Sequence, residues 1–424
     1  MGLVAARHSP DRAWPGFVLG WPQHEDCAER SVSIYALSNV ARDLYEAGNA
    51  GDVNRPSSIS LKSGGGHLTT ARPRGLIQRL ACRVDGVLIA QLEKLKPSDL
   101  KEPPELVHDL TAFASSDEYR AYRADSSVLF PKPGRIDVKK RWLAPQRVGF
   151  AEWSWQSIHP LVFKSIKHEY RSHRDNQTAL LRTLSLRVKG KPMAILVNGF
   201  SSGHHLMERV AWPMREFHRL GIGISLFALP FHGPRGHAFP PEWPQQDTAF
   251  TIEGFRQAIW DLQIAIRAMR EAGASHVGVV GMSLGGYTAS LLATVTSDVD
   301  FVLSYIPIAS VPDVMNDNDL VPGSGAIQRT LYEGYREQLV PITPVCRTPK
   351  VDPERISIIS GEFDRLATIT HGRRLAEHFG SELITYPGGH IIQHRRARAF
   401  RRSLEGFQKR RVLPRRGWMR LNKR

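Results

Sequence analysis

The stretch that decides the fold is HVGVVGMSLGGY, residues 276–287. Its first part, residues 276–280, is a short apolar run typical of a buried strand, and the residues after the serine favour a helix. Between them stands G-x-S-x-G, in which Gly281 and Gly285 flank Ser283. A serine in a sharp strand-to-helix turn needs small neighbours, because the two backbone segments approach closely there. The stretch therefore predicts a nucleophilic serine, with a purely structural turn as the alternative.

Strands and helices alternate along the chain on both sides of this stretch. Short apolar runs occupy residues 193–197, 224–229, 301–306, 356–360 and 383–386. Amphipathic patterns at helical spacing occupy residues 205–220, 251–272, 284–295 and 370–379. Such alternation implies parallel strands joined by right-handed crossovers, and therefore a doubly wound α/β sheet. Active sites in sheets of this kind lie at the carboxyl ends of the strands.

The elbow around Ser283, with its strand and helix, resembles the α/β-hydrolase superfamily over residues 190–408. This resemblance implies a mostly parallel sheet and an acyl-enzyme mechanism with the chain order serine, acid, histidine. His390 stands where the superfamily has its base, after the last apolar run and a Pro-Gly-Gly turn. Asp364 stands where the superfamily has its acid. Glu362 is an alternative acid, a surface histidine is the alternative for the base, and Asp364 could instead cap the following helix.

An acyl-transfer site also needs donors for the oxyanion, usually two backbone N–H groups. The resemblance implies that these belong to Leu284, directly after the serine, and to Phe200, in the loop after residues 193–197. Here the chain departs from the commoner pattern, since Asn198-Gly199 stands where many relatives have His-Gly. Backbone donors do not depend on that side chain, so the oxyanion hole can survive, but the contacts of the missing histidine must be replaced.

The sequence divides into four parts. Residues 1–140 are expected to be an N-terminal extension, partly disordered or helical, and residues 141–408 the catalytic domain. Residues 309–354 form an insertion that we expect to be a cap, with substrate selection residing there. Residues 409–424 form a basic tail. Within the extension, apolar residues recur at helical spacing over residues 75–92, which predicts a helix packed on the main domain or, alternatively, one that binds a membrane surface or partner.

Most of the net charge of +16 lies at the C-terminal end. From Arg395 onward there are thirteen Lys and Arg against one acid, Glu405. One interpretation is a solvated last helix over residues 391–407 followed by a disordered end. The other is attraction to anionic membrane surfaces, which Trp418 and Met419 suit as interfacial anchors. Nucleic acid is the less favoured partner, because no nucleic-acid-binding motif accompanies the charge.

Other motifs restrict the chemistry further. The three cysteines, Cys27, Cys82 and Cys346, form neither a C-x-x-C motif nor a metal-ligand pattern. The sequence has no Walker A loop, G-x-G-x-x-G fingerprint or H-E-x-x-H motif, so we expect no metal and no cofactor. It also has no secretory signal and no apolar run of the roughly 20 residues that cross a bilayer, which predicts a cytoplasmic protein.

Together these features predict a serine hydrolase that cleaves a carboxylic ester or a related small acyl substrate through Ser283. Two alternatives remain open. An acyltransferase would use the same residues with a nucleophile other than water, and a non-catalytic protein of the same fold would use the pocket or the tail for binding. The identity of the substrate and the oligomeric state are not determined by the sequence.

Overall fold

In the part of the chain that the structure describes, the architecture is built on one sheet of nine strands. The structure is a computed structural model, which describes residue 73 and residues 75–94, 101–124, 129–143, 150–185, 187–236 and 240–414. The strands are β1 (Lys139–Leu143), β2 (Phe150–Gln156), β3 (Thr178–Thr183), β4 (Pro192–Val197), β5 (Gly223–Phe227), β6 (His276–Met282), β7 (Phe301–Tyr305), β8 (Ile356–Gly361) and β9 (Glu382–Tyr386). Their order across the sheet is β1-β2-β3-β5-β4-β6-β7-β8-β9.

The sheet is mostly parallel. Strands β4 to β9 pair in parallel with their neighbours, whereas β1, β2 and β3 form an antiparallel edge that joins β5. This confirms the predicted doubly wound, mostly parallel α/β sheet. The antiparallel edge was not predicted, because β2 and β3 alternate buried and partly exposed residues, as in the Glu152–Arg182 ion pair across them. Their sequences therefore lack the continuous apolar runs of the central strands.

Helices cover both faces of the sheet. They are α1 (Leu76–Lys94), α2 (Pro103–Ala114), α3 (Asp117–Ala124), α4 (Lys167–Ser172), α5 (His205–Ala211), α6 (Met214–Arg219), α7 (Thr248–Glu271), α8 (Leu284–Val295), α9 (Val311–Asp317), α10 (Gly325–Leu339), α11 (Ile369–Phe379) and α12 (Arg396–Lys409). The core has two main clusters, one including Phe255 of α7 and Leu291 of α8, the other including Phe217 of α6 and Phe400 of α12. The strands between them are buried on both faces, which explains their uniformly apolar sequences.

Two predicted helices differ from the structure. The helix expected over residues 205–220 is two helices, α5 and α6, because Trp212 is extended before Pro213, as the residue before a proline prefers to be. The helix expected over residues 391–407 begins only at Arg396, and Arg395 has a left-handed backbone with φ of 62°. The residues before Arg395 instead belong to a loop of the candidate site.

The insertion at residues 309–354 contains α9 and α10, and it packs on a helix from the N-terminal part of the chain. Leu106 and Leu110 of α2 share a buried cluster with Leu331 and Tyr335 of α10. The amide of Gln338 donates to the Leu110 carbonyl at 2.8 Å. The placement of this insertion as a cap over the serine stays a prediction.

Two predictions fall on residues outside the described ones. The predicted partly disordered part of the extension includes the first 72 residues, and the predicted membrane anchors Trp418 and Met419 belong to residues 415–424. In the part of the chain that the structure describes, no helix is both long enough and apolar enough to cross a membrane.

Candidate active site

Ser283 lies in a tight turn between β6 and α8. Its backbone has φ of 55° and ψ of −114°, a conformation that residues with a side chain rarely adopt. A Cβ on Gly281 would collide with the backbone of Gly285, and a Cβ on Gly285 would collide with the carbonyl oxygen of Val197. The Ser283 amide donates to the Tyr305 carbonyl of β7 at 2.9 Å. Neighbouring backbone thus fixes the turn at the carboxyl end of β6, as the sequence predicts.

The loops after β8 and β9 bring an acid and a base to this serine. His390 Nε2 lies 3.1 Å from Ser283 Oγ, and His390 Nδ1 lies 2.8 Å from Asp364 Oδ2. The other oxygen of Asp364 accepts from the amides of Leu366 and Ala367 at 3.0 and 2.8 Å. With Nδ1–H donating to Asp364, Nε2 is left as an acceptor for the serine hydroxyl.

The alternative acid, Glu362, lies elsewhere. Its carboxylate accepts from the Thr385 hydroxyl at 2.8 Å, on the partly exposed side of β9. Asp364, by contrast, is fully buried against His390. Of the two carboxylates considered from the sequence, the structure places Asp364 at the histidine.

The surroundings of His390 raise the pKa of its imidazole and so favour the protonated form. Burial by itself lowers the pKa of His390, but the carboxylates of Asp364 and Asp85 more than offset this, so its pKa is raised above the ordinary value. An imidazolium that forms when the serine loses its proton would therefore be stabilised. The imidazole still has to be neutral before it can accept that proton.

On the opposite side of Ser283, the loop after β4 approaches the elbow closely. A Cβ on Gly199 would lie 3.5 Å from Ser283 Cβ and 3.4 Å from the Met282 carbonyl oxygen. Phe200 follows in this loop, and Leu284 is the first residue of α8, where amides have no partner within their own helix. The two segments expected to supply oxyanion donors thus lie next to the serine. Their role as donors stays a prediction.

Asn198, which directly follows β4, makes two hydrogen bonds through its side chain. Its side-chain oxygen accepts from the Leu229 amide at 2.9 Å, and its amide nitrogen donates to the Gly199 carbonyl at 2.9 Å. Asn198 is fully buried. It therefore connects the loop after β4 to the loop after β5 through a neutral side chain.

A buried carboxylate supports the far end of the same loop. Glu208 of α5 accepts from the Gly203 amide at 2.9 Å and from the Trp212 indole at 2.7 Å. Burial raises the pKa of Glu208, and these two hydrogen bonds act in the opposite direction. Glu208 was not identified from the sequence, because a single glutamate in a short helix carries no pattern that distinguishes it.

Asp85 is the most important residue that the sequence analysis did not identify. It comes from α1, about 300 positions before His390, and its carboxylate contacts the loops of both His390 and Asp364. The available signal was an acidic residue on the apolar side of a predicted helix, between Ala81 and Leu88. Such a residue usually has a buried polar partner, but the helical pattern alone does not reveal which one.

Cys82, on α1, is a free cysteine next to the loop that carries Asp364. Cys82 of α1 donates to the Phe363 carbonyl at 3.7 Å, and burial raises the pKa of its thiol. Across the described segments, no group of three or more His, Cys, Asp or Glu residues is arranged to hold a metal ion.

Comparison with known proteins identifies relatives but no family for the chain. No family model matches it. Two curated proteins, both called uncharacterized and from two strains of Mycobacterium tuberculosis, are 30% identical over 223 residues. The match covers 50% of this chain and 52% of each relative, so the chain spans about half the length of the curated relatives it matches.

Several solved structures have a related chain path. Acetyl xylan esterase 1 from a Thermoanaerobacterium species is 16% identical, with a TM-score of 0.46 over 69% of this chain and 94% of that one. An acetyl xylan esterase from a Paenibacillus species is 13% identical, with a TM-score of 0.42 over 71% and 93%. The acylaminoacyl peptidase of Pyrococcus horikoshii is 14% identical, with a TM-score of 0.39 over 68% and 43%. Similarity at this level does not establish the activity of this chain.

Proposed function

We propose that this chain is a serine hydrolase that cleaves a carboxylic ester or a related acyl compound through an acyl-enzyme on Ser283. The observation that supports this most directly is the hydrogen-bonded series Ser283, His390 and Asp364, with separations of 3.1 and 2.8 Å. A serine hydroxyl is a weak nucleophile unless a positioned base accepts its proton and an acid orients that base. The strained elbow places the hydroxyl at the carboxyl ends of the parallel strands, where folds of this kind bind their substrates.

In the first half of the reaction, Ser283 Oγ attacks the acyl carbonyl carbon while His390 Nε2 accepts the hydroxyl proton. Asp364 holds the imidazole in the required tautomer and stabilises its positive charge. The backbone N–H groups of Phe200 and Leu284 donate to the oxyanion of the tetrahedral intermediate. When that intermediate collapses, His390 gives its proton to the departing alkoxide, and the acyl group stays on the serine.

In the second half, water attacks the acyl-enzyme, and His390 accepts a proton from that water. The second tetrahedral intermediate expels Ser283, which recovers its proton from His390, and the carboxylic acid leaves. If an alcohol takes the place of water, the same residues perform acyl transfer. The helices of the insertion, α9 and α10, would select the acyl group if they cover this site.

The proposal is tested with p-nitrophenyl esters of graded acyl length, assayed with the wild type and with Ser283→Ala. We expect release of p-nitrophenol by the wild type and a loss of at least about 10⁴-fold in kcat for the variant. Ser172→Ala is the matched control, since Ser172 lies at the exposed end of α4. Product analysis with added alcohols separates hydrolysis from acyl transfer. Full activity in Ser283→Ala would overturn the proposal.

A further inference from the structure

Asp85 accepts hydrogen bonds from the backbone of both the loop that carries His390 and the loop that carries Asp364. One oxygen of its carboxylate accepts from the His390 amide at 2.8 Å and the Arg365 amide at 3.2 Å. The other accepts from the Ile391 amide at 3.0 Å. Asp85 is completely buried. A single side chain from α1 thus receives three backbone donors from the two loops that carry His390 and Asp364.

The packing of α1 leaves no space between this carboxylate and the histidine loop. A Cβ on Gly389 would lie 2.6 Å from Asp85 Oδ2 and 3.2 Å from the Ala81 Cβ. Glycine at this position therefore permits the direct contact between helix and loop. On the acid side, Cys82 Sγ contacts the Phe363 carbonyl at 3.7 Å.

Burying a carboxylate here has an electrostatic cost. Burial, and then the negative charge of Asp364, raise the pKa of Asp85 to about 6. The titratable groups that act on it or on its neighbour are Cys82 on its own helix, Asp364 on the acid loop, and His390, and the guanidinium of Arg365 acts on Cys82. An uncharged acceptor or a water molecule could also accept from the three amides. The buried negative charge of Asp85 is therefore not required by these hydrogen bonds, and a functional role accounts for it better.

We propose that Asp85 is a positioning residue for His390, which fixes the histidine loop through its backbone and adds a second negative charge behind the imidazolium that forms during catalysis. This inference rests on the proposed function and extends it to the N-terminal part of the chain. Helix α1 is then part of the catalytic unit. His390 consequently has two buried carboxylates near it, Asp364 on the ring and Asp85 on the backbone.

The test is the pH dependence of kcat/KM in full-length Asp85→Asn. This change keeps the shape and one acceptor oxygen, which can still accept from the His390 and Arg365 amides, but it removes the charge, so we expect the pKa of His390 to fall. We expect the acid limb of the profile to move to lower pH by about 0.5 to 1 unit, with a loss on the order of tenfold near neutral pH. Asp117→Asn, at a side chain that is 97% exposed, is the matched control and should change neither quantity.

A loss of activity in Asp85→Asn with an unchanged acid limb would show a merely structural role and overturn the inference, as would wild-type behaviour. A second readout does not depend on turnover. The pKa of His390, followed by NMR of its ring in the folded protein, should be lower in both Asp85→Asn and Asp85→Ala, and an unchanged value overturns the inference. If the wild type cleaves no ester while this NMR shift occurs, the proposed function fails and the electrostatic role of Asp85 stands.

Discussion

The two sides of Ser283 are built from different chemistry. On the histidine side, two buried carboxylates contact His390. Asp364 lies 2.8 Å from the ring nitrogen Nδ1, and Asp85 accepts a hydrogen bond from the backbone amide. On the other side, the neutral amide of Asn198 and the close approach of Gly199 shape the loop next to the serine. Negative charge is thus concentrated where a positive imidazolium would form. On the other side, Asn198 and Gly199 next to the serine carry no charge, which suits a negative oxyanion. The buried carboxylate of Glu208 lies farther along the same loop, where it accepts from Gly203 and Trp212.

The largest effect should come from the charge nearest the ring. Asp364→Asn should retain the fold but lower kcat by up to about 10⁴-fold, because the imidazole loses the partner that fixes its tautomer. Glu362→Gln is the matched control, since that carboxylate contacts Thr385 and not the histidine. Steady-state kinetics on one ester measures both variants. If Glu362→Gln were the more damaging, the acid would be assigned to the wrong carboxylate.

A charge placed on the other side should also be damaging. Asn198→Asp puts a carboxylate beside the Gly199 carbonyl and the predicted oxyanion donors, so we expect kcat to fall by about 100-fold. Asn198→Ala removes both side-chain hydrogen bonds, to Leu229 and to Gly199, without adding a charge, and should cost clearly less. The comparison is made at saturating ester. Equal losses in the two variants would indicate that no oxyanion forms on this side.

The sequence indicated some residues of the site and missed another on the same side of the serine, for physical reasons. Ser283, Asp364 and His390 each follow a buried strand, and helix α8 has the predicted bounds, because the central strands have strong local patterns. Asp85 could not be assigned a partner in this way. Its contacts join residues about 300 positions apart. An apolar helical face indicates that a residue is buried, but it does not indicate which part of the chain covers it.

The smallest effect should come from the end of the basic tail. In helix α12, which precedes the tail, arginines already have acidic partners, since Arg401 pairs with Glu216 at 2.9 Å and Arg402 with Glu382 at 2.8 Å. Leu413 is buried in the core, so the truncated variant is designed to keep residues 1–414. Removing residues 415–424 deletes five cations together with Trp418 and Met419. We expect ester hydrolysis to stay within about twofold of the wild type, because the hydrogen-bonded residues Ser283, Asp364 and His390 all precede the removed segment.

The same truncation tests the proposal that the tail binds anionic membranes. Full-length protein should sediment with vesicles of phosphatidylserine and phosphatidylcholine at low salt, and added salt should release it. The truncated protein should bind these vesicles clearly less. Equal binding by both proteins, or none by the full-length protein at low salt, would assign no membrane role to the tail.

The most direct test of the account is labelling by a fluorophosphonate followed by mass spectrometry of the modified peptide. Such probes react with a serine that a neighbouring base has activated. The account predicts a single adduct on the peptide that contains Ser283, slower labelling in Asp364→Asn, and none in Ser283→Ala. An adduct on another residue, or undiminished labelling of Ser283→Ala, would contradict it.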